Sequence, residues 1–162
     1  TDPMTGLHNH RYLMRHLRGL LSAGSPPGAA AMMIDVDYFK QVNDRWGHGT
    51  GDRVLKTVAN ILRGRTRVFD SLARYGGEEF AVVMAGASAA DALNAAERLR
   101  EAVQDSVFSQ DGQGPRGLTV SIGIARSGAG RATPEALLGA ADEALYAAKR
   151  AGRNRVEMAP DP

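Results

Sequence analysis

Apolar residues recur along this chain at two spacings, and the switches between them mark its elements. Tyr12, Leu13, Leu17, Leu20 and Leu21 follow helical spacing. The glycines and prolines of residues 24–28 predict the end of that helix. The next run, Ala29–Val36, is almost continuously apolar and closes on carboxylates, as in a strand buried on both faces. Residues 38–44 read as a short helix leaving that strand, and residues 46–52 as a glycine-rich loop. An amphipathic helix follows, carrying Val54, Leu55, Val58, Ala59, Ile61 and Leu62. Val68, Phe69, Leu72 and Ala73, then Phe80 to Met84, read as two strands of a hairpin. The paired glycines Gly76 and Gly77 supply the positive φ that tight turns need. Residues 88–107 predict a long helix capped by Ser88, and residues 109–117 a polar loop. A strand over 118–125 leads through a turn at 128–132 into a helix opened by Thr133-Pro134-Glu135 and ending near Gly152. Residues 155–158 make a short closing strand.

After the leading helix, this order contains a β-α-β-β-α-β core. It predicts an α+β domain of the ferredoxin-like, palm-type plan, with a central antiparallel sheet and helices on one face. At 162 residues, 43% hydrophobic and 23% charged, the chain suits one soluble globular domain. The net charge is +2. Arginine exceeds lysine, which suits anion contacts, but no long basic patch points to nucleic acid as a partner. The absence of cysteine excludes disulfides, thiolate zinc sites and cysteine nucleophiles. No run is long enough to span a membrane and no signal peptide is visible.

The carboxylates change the picture. Asp35 and Asp37 share one strand face, where they either sit in water, cap the following helix, or hold a cation between them. An EF-hand loop starting at Asp35 fails, because Lys40 and Trp46 occupy its glycine and glutamate positions. No P-loop or GxGxxG element is present. Glu78 and Glu79 follow the glycine turn and, as strand neighbours, point to opposite faces. Either they decorate a turn, or one of them meets a ligand. The sheet plan brings Asp35 and Glu78 near each other, and with the Val36 carbonyl they offer hard oxygen ligands for Mg²⁺ or Mn²⁺. Asn43 and Asp52 are either capping residues or readers of a purine edge, guanine offering the donors a carboxylate accepts. Lys149 and Arg153 either compensate a helix dipole or bind triphosphate oxygens. Arg67 and Asp70 form a local ion pair or hold a second ligand. His48 reads as local structure.

The segment Arg74-Tyr75-Gly76-Gly77-Glu78-Glu79-Phe80 resembles the signature of the GGDEF family, the diguanylate cyclases, in its GGEEF form. Residues 2–9 resemble the family's D-x-L-T-G-L-x-N opening. Residues 35–44 resemble D-x-D-x-F-K-x-x-N-D, and Gly47-His48-Gly49-Thr50-Gly51-Asp52 resembles G-H-x-x-G-D. Ser121 to Ala125 and residues 142–154 resemble S-x-G-x-A and D-x-A-L-Y-x-A-K-x-x-G-R-N. His10, Met4 and Trp46 depart from the usual arginine, leucine and Phe or Tyr.

This resemblance implies a nucleotide cyclase-like fold and a domain over residues 1–158, with 159–162 as a tail. It implies condensation of two GTP into cyclic di-GMP and two pyrophosphates. Asp35, Val36 and Glu78 would hold two Mg²⁺ or Mn²⁺ ions per active site, and Glu78 or Glu79 would assist loss of the 3′-hydroxyl proton. Asn43 and Asp52 would read guanine. Gly76 and Gly77 would let the nucleotide pass close to the backbone. Phe39 and Lys40 would approach the phosphates through their backbone, Lys149 and Arg153 through their side chains. Arg67, Asp70 and Arg98 would form an inhibitory site for the product. The partners implied are GTP, cyclic di-GMP, a second copy of the domain, and an N-terminal sensory or receiver domain in a longer, cytoplasmic or membrane-anchored protein. The alternative is a silent module that senses cyclic di-GMP or GTP.

Overall fold

The computed structural model describes residues 1–22 and 28–162. The predicted helix stop at residues 24–27 lies outside the described residues, while Gly28 takes a φ of 71° just before the first strand. The elements run α1 (His10–Ser22), β1 (Ala29–Val36), α2 (Phe39–Trp46), α3 (His48–Arg65), β2 (Ser71–Arg74), β3 (Glu79–Ala85), α4 (Ala89–Gln104), β4 (Val120–Arg126), α5 (Pro134–Arg150) and β5 (Val156–Met158). The strands form one sheet in the order β2-β3-β1-β4-β5. The pairs within β2-β3-β1-β4 are antiparallel, and β5 joins β4 in parallel. That parallel pair needs a crossover, and α5 supplies it. The result is the expected α+β palm-type core.

Helices cover both faces of the sheet, not one. Even positions of β1 (Ala30, Met32, Ile34, Val36) pack with Val58 and Leu62 of α3 and Leu99 of α4. Odd positions (Ala29, Ala31, Met33) pack with Leu13 and Leu17 of α1 and Leu137 and Leu145 of α5. The strand's unbroken apolar run follows from this double burial. The predicted caps form: Ser88 accepts the Asp91 amide at 3.1 Å and Thr133 the Ala136 amide at 3.2 Å. Each such cap typically contributes about 1 kcal/mol.

Two glycine assignments differ from expectation. The predicted loop at 46–52 is mostly helix. Gly47, at φ 88°, separates α2 from α3, and His48 to Asp52 already belong to α3. Low helix propensity at Gly49 and Gly51 does not break α3; Gly51 is buried against Asn43, and a Cβ there would lie 1.9 Å from Asn43 Oδ1. Gly76 and Gly77 do not take positive φ, unlike the glycines that do. A Cβ on Gly76 would stand 2.6 Å from Glu79 Oε1 and displace that carboxylate, whereas Gly77 faces open space. Val68 and Phe69 are fully and largely exposed and precede β2 rather than join it.

Residues before α1 are bonded to the sheet edge. His8 bridges Ala73, and the Arg74 amide donates to the His8 carbonyl at 2.9 Å. The Arg74 side chain contacts Asp2 at 3.3 Å and donates to the Gly77 carbonyl at 2.8 Å, tying the opening turn to the glycine turn. At the other end, the Ala159 amide donates to the Ile124 carbonyl at 2.8 Å.

Candidate active site

Register brings the acidic residues together. Asp35, near the end of β1, pairs with Glu79 at the start of β3, and the Val36 amide donates to the Glu78 carbonyl at 3.3 Å. Asp35 lies on the α5 side of the sheet. There Lys149, on the last turn of α5, donates to Asp35 Oδ2 at 2.5 Å. Helix α5 reaches this position because β4 carries Gly123 beneath it. A Cβ at Gly123 would lie 2.1 Å from the Leu145 amide nitrogen and 2.2 Å from the Ala141 carbonyl oxygen.

The electrostatics are those of crowded anions. Burial, above all, raises Asp35 above the usual aspartate range, and the Asp37 charge adds to this, against the lowering effect of Lys149 and Arg153. Burial also raises Glu78, reinforced by Asp35 and Glu79 and opposed by Lys149. Glu79 is raised by burial, then by Asp35 and Asp142, again opposed by Lys149. Both glutamates therefore feel the Asp35 charge, although strand alternation assigns them to opposite faces. Glu78 lies just outside β3, where that alternation no longer applies.

The donor set fits a hard divalent cation. It contains only oxygens, its carboxylates repel one another, and Lys149, with Arg153 acting on Asp35, only partly offsets their charge. Among the described residues no three acidic or histidine side chains converge to enclose an ion by themselves.

Asp37 is not part of this donor set. It shares the face of Asp35, but its carboxylate accepts from Thr119 Oγ1 at 2.6 Å, Ser121 Oγ at 2.7 Å and the Asn154 amide at 3.1 Å. The signal available in sequence was the hydroxyl pair Thr119 and Ser121, two residues apart on one strand face. Asp142 is a second residue not singled out, and its charge reaches both Glu79 and Tyr75.

The other expected residues lie on α2, on α3 and in the turn after α5. Asn43 Oδ1 is buried with no hydrogen-bond partner, against Gly51, and Asp52 is exposed one residue further on. An orphaned buried acceptor of this kind suits a ligand's N–H. Phe39 is buried and Lys40 exposed at the start of α2. The Arg153 guanidinium lies 4.8 Å from the centre of the Tyr38 ring. On the opposite edge, the Asp70 amide donates to the Arg67 carbonyl at 3.0 Å. Burial raises the Asp70 carboxyl, while Arg67 and Arg98 both lower it, so these three groups are neighbours. A cavity of about 300 Å³ beside them is bordered by Leu7, His8, Arg63, Arg67 and Asp70. A larger groove of about 830 Å³ runs between α2 and residues 109–119, and Asp35, Glu78 and Lys149 do not line it. Size is therefore a poor guide to the chemistry here; convergence of charge is the better one.

A five-stranded palm sheet with acidic residues at the adjoining ends of two central strands defines a nucleotide-cyclase-like domain. The family model described as "Diguanylate cyclase, GGDEF domain" matches residues 1–155, and the chain belongs to that family. It is 45% identical over 159 residues to the response regulator PleD of Caulobacter vibrioides, covering 96% of this chain but only 35% of PleD. The chain thus spans about a third of that relative's length. Among solved structures, it resembles the GGDEF domain of DgcB from Caulobacter crescentus in complex with c-di-GMP. The TM-score is 0.92 with 33% identity, over 99% of this chain and 93% of that one. It also resembles the active GGEEF domain of a diguanylate cyclase from Vibrio cholerae, with a TM-score of 0.85 and 28% identity over 96% of this chain and 99% of that one. Among the described residues, no helix is long and apolar enough to cross a membrane.

Proposed function

We propose that this domain condenses two GTP molecules into cyclic di-GMP and two pyrophosphates. One observation supports the reading above all: Asp35, bonded to Lys149, is paired in register with Glu79 beside Glu78 at the end of a palm sheet. In this reading Asp35, Glu78 and the Val36 carbonyl hold two Mg²⁺ or Mn²⁺ ions. When bound, these ions supply Lewis-acid stabilisation of the charge that develops on the reacting phosphate. The chain's own residues do the rest. Asn43 and Asp52 bind the guanine edge, which sets the ribose at the glycine turn of Gly76 and Gly77. The backbone of Phe39 and Lys40 and the side chains of Lys149 and Arg153 orient the triphosphate. Glu78 or Glu79, whose carboxyls burial and neighbouring acids hold above the usual glutamate range, accepts the proton of the 3′-hydroxyl. That oxygen attacks the α-phosphate of the other GTP, the bond to the β-phosphate oxygen breaks, and pyrophosphate leaves.

Each domain binds one GTP, so two domains must meet face to face. We assign control of that encounter to a sensory or receiver module elsewhere in the parent protein, and the domain itself, residues 1–158, to the cytoplasm with its nucleotide. Fused to a dimerising coiled coil and given GTP and Mg²⁺, the domain is expected to release cyclic di-GMP. No product at high protein concentration would overturn the cyclase reading and leave a sensor module. Arg67, Asp70 and Arg98 form the inhibitory product site in this scheme. Arg67→Ala is expected to raise the cyclic di-GMP concentration for half inhibition by roughly tenfold, the size of one lost charge-assisted contact. An unchanged inhibition curve would remove Arg67 from product control.

A further inference from the structure

Asp37 is only 2% exposed, yet it is a carboxylate. Two of its donors, Thr119 and Ser121, come from the start of β4 and the residue before it, and the third is the Asn154 amide beyond α5. A buried carboxylate so supplied is stable where it sits and costly to disturb. The residues next to this contact also meet. Tyr38 follows Asp37 and Arg153 precedes Asn154, and the Arg153 guanidinium lies over the Tyr38 ring.

Tyr38, Arg153 and Asn154 have φ values of 58°, 66° and 47°. Each left-handed residue of this kind costs about 1 kcal/mol or more unless its surroundings impose it. Here they do. The Asn154 amide is held by Asp37. Its side-chain Oδ1 accepts from Arg100 Nη1 at 2.9 Å, and its Nδ2 donates to Gln104 Oε1 at 3.2 Å. Arg100 is itself fixed, donating to Gln104 Oε1 at 2.7 Å and to Glu97 Oε2 at 2.8 Å. The turn that carries Arg153 is thus anchored on one side to the residue before the Tyr38 turn and on the other to α4.

We propose that Asp37, Asn154 and Arg100 form a positioning clamp that sets the Arg153 guanidinium against the Tyr38–Lys40 turn and thereby fixes the terminal phosphates of the nucleotide relative to Asp35. This rests on the reading of Arg153 and the Phe39–Lys40 backbone as phosphate contacts. None of the three clamp residues touches the nucleotide in that reading. Their effect is to pre-orient a cation that would otherwise be an exposed, mobile side chain. Stacking on Tyr38 occupies one face of the guanidinium and leaves its N–H edge for phosphate oxygens.

The test compares a non-hydrolysable GTP analogue with GMP, both with Mg²⁺, by calorimetry, alongside thermal melts. Asn154→Gly keeps a backbone suited to positive φ and the amide donor to Asp37, but removes both bonds to α4. Affinity for the GTP analogue is expected to fall roughly tenfold, with GMP binding unchanged. Asn154→Asp keeps an acceptor for Arg100 and is expected to recover most of that loss. Asp37→Asn keeps the shape but turns an amide N–H₂ toward a donor, and the same selective loss is expected to be larger, with KM for GTP rising more than kcat falls. Equal loss of GTP-analogue and GMP affinity would reduce the clamp to a general structural role and overturn the proposal, as would unchanged binding of both. If the native domain binds GMP no more weakly than the GTP analogue, the phosphate-contact reading fails first, and the clamp with it.

Discussion

Glu78→Gln is expected to abolish cyclic di-GMP formation while making the metal-free domain more stable at neutral pH. The two effects share one cause. Burial and the charges of Asp35 and Glu79 raise the Glu78 carboxyl above its ordinary value of 4.5, and Lys149 only partly offsets them. A carboxyl whose pKa is higher in the folded than in the unfolded state costs stability when ionised. That cost is absent below the unfolded pKa, grows as pH rises toward the folded pKa, and is constant above it. The Glu78→Gln domain should therefore melt above the native domain at pH 7, with the gap closing as pH falls from the raised folded pKa and essentially gone below about 4.5. Addition of Mg²⁺ at pH 7 should stabilise the native domain and leave the variant nearly unmoved. Activity should fall roughly a thousandfold or more, since a ligand to the reacting centre and a candidate base are lost together. Thermal melts across pH, with and without Mg²⁺, and a product assay check both halves. A variant less stable than the native domain at pH 7 without Mg²⁺ would mean that Glu78 is not held against its charge, and the crowded-carboxylate account would fail.

Most of this site is legible in the sequence because most of it is local. Asp35 ends an unbroken apolar run, Glu78 follows a glycine pair, and the order of elements makes β1 and β3 neighbours. Lys149 is legible as a basic residue on the last turn of a capped helix, though not its bond to Asp35. What could not be read depends on residues distant in the chain. The two-residue strand repeat assigns Asp37 to the face of Asp35 correctly. It cannot reveal that hydroxyls more than eighty residues away use up its lone pairs. The glycines at 49 and 51 argue for a loop by propensity, yet both lie in α3, and the close approach of Gly51 to Asn43 accounts for glycine at that position. Helices on both faces of the sheet follow from the full burial of β1, which the apolar run implied more strongly than the ferredoxin-like plan did.

Gly123→Ala is expected to be among the most damaging single substitutions in the domain, although it adds only one methyl group. Gly123 lies on β4, on the face where α5 packs, and its missing side chain lets the helix backbone approach the strand. The added carbon would fall 2.1 Å from the Leu145 amide nitrogen, 2.2 Å from the Ala141 carbonyl oxygen and 2.7 Å from the Ala144 carbonyl carbon. These are backbone atoms of the buried face of α5, so no side chain can turn away to relieve the clash. Either α5 moves off the sheet or the strand bends. Overpacking of well-filled cores costs about 1–3 kcal/mol, occasionally more, and rigid backbone contacts belong at the upper end. Displacing α5 also carries Lys149 away from Asp35 and shifts the turn that bears Arg153. Folded Gly123→Ala protein should therefore lose nucleotide binding as well as stability. Gly139→Ala, where the added carbon meets nothing within 4 Å on the same helix, is the control: it should leave nucleotide binding unchanged and raise stability by up to about 1 kcal/mol through helix propensity. A denaturant melt of both variants decides the matter. If Gly123→Ala unfolds at the native midpoint, α5 is not held against β4 by this contact, and the position of Lys149 needs another explanation.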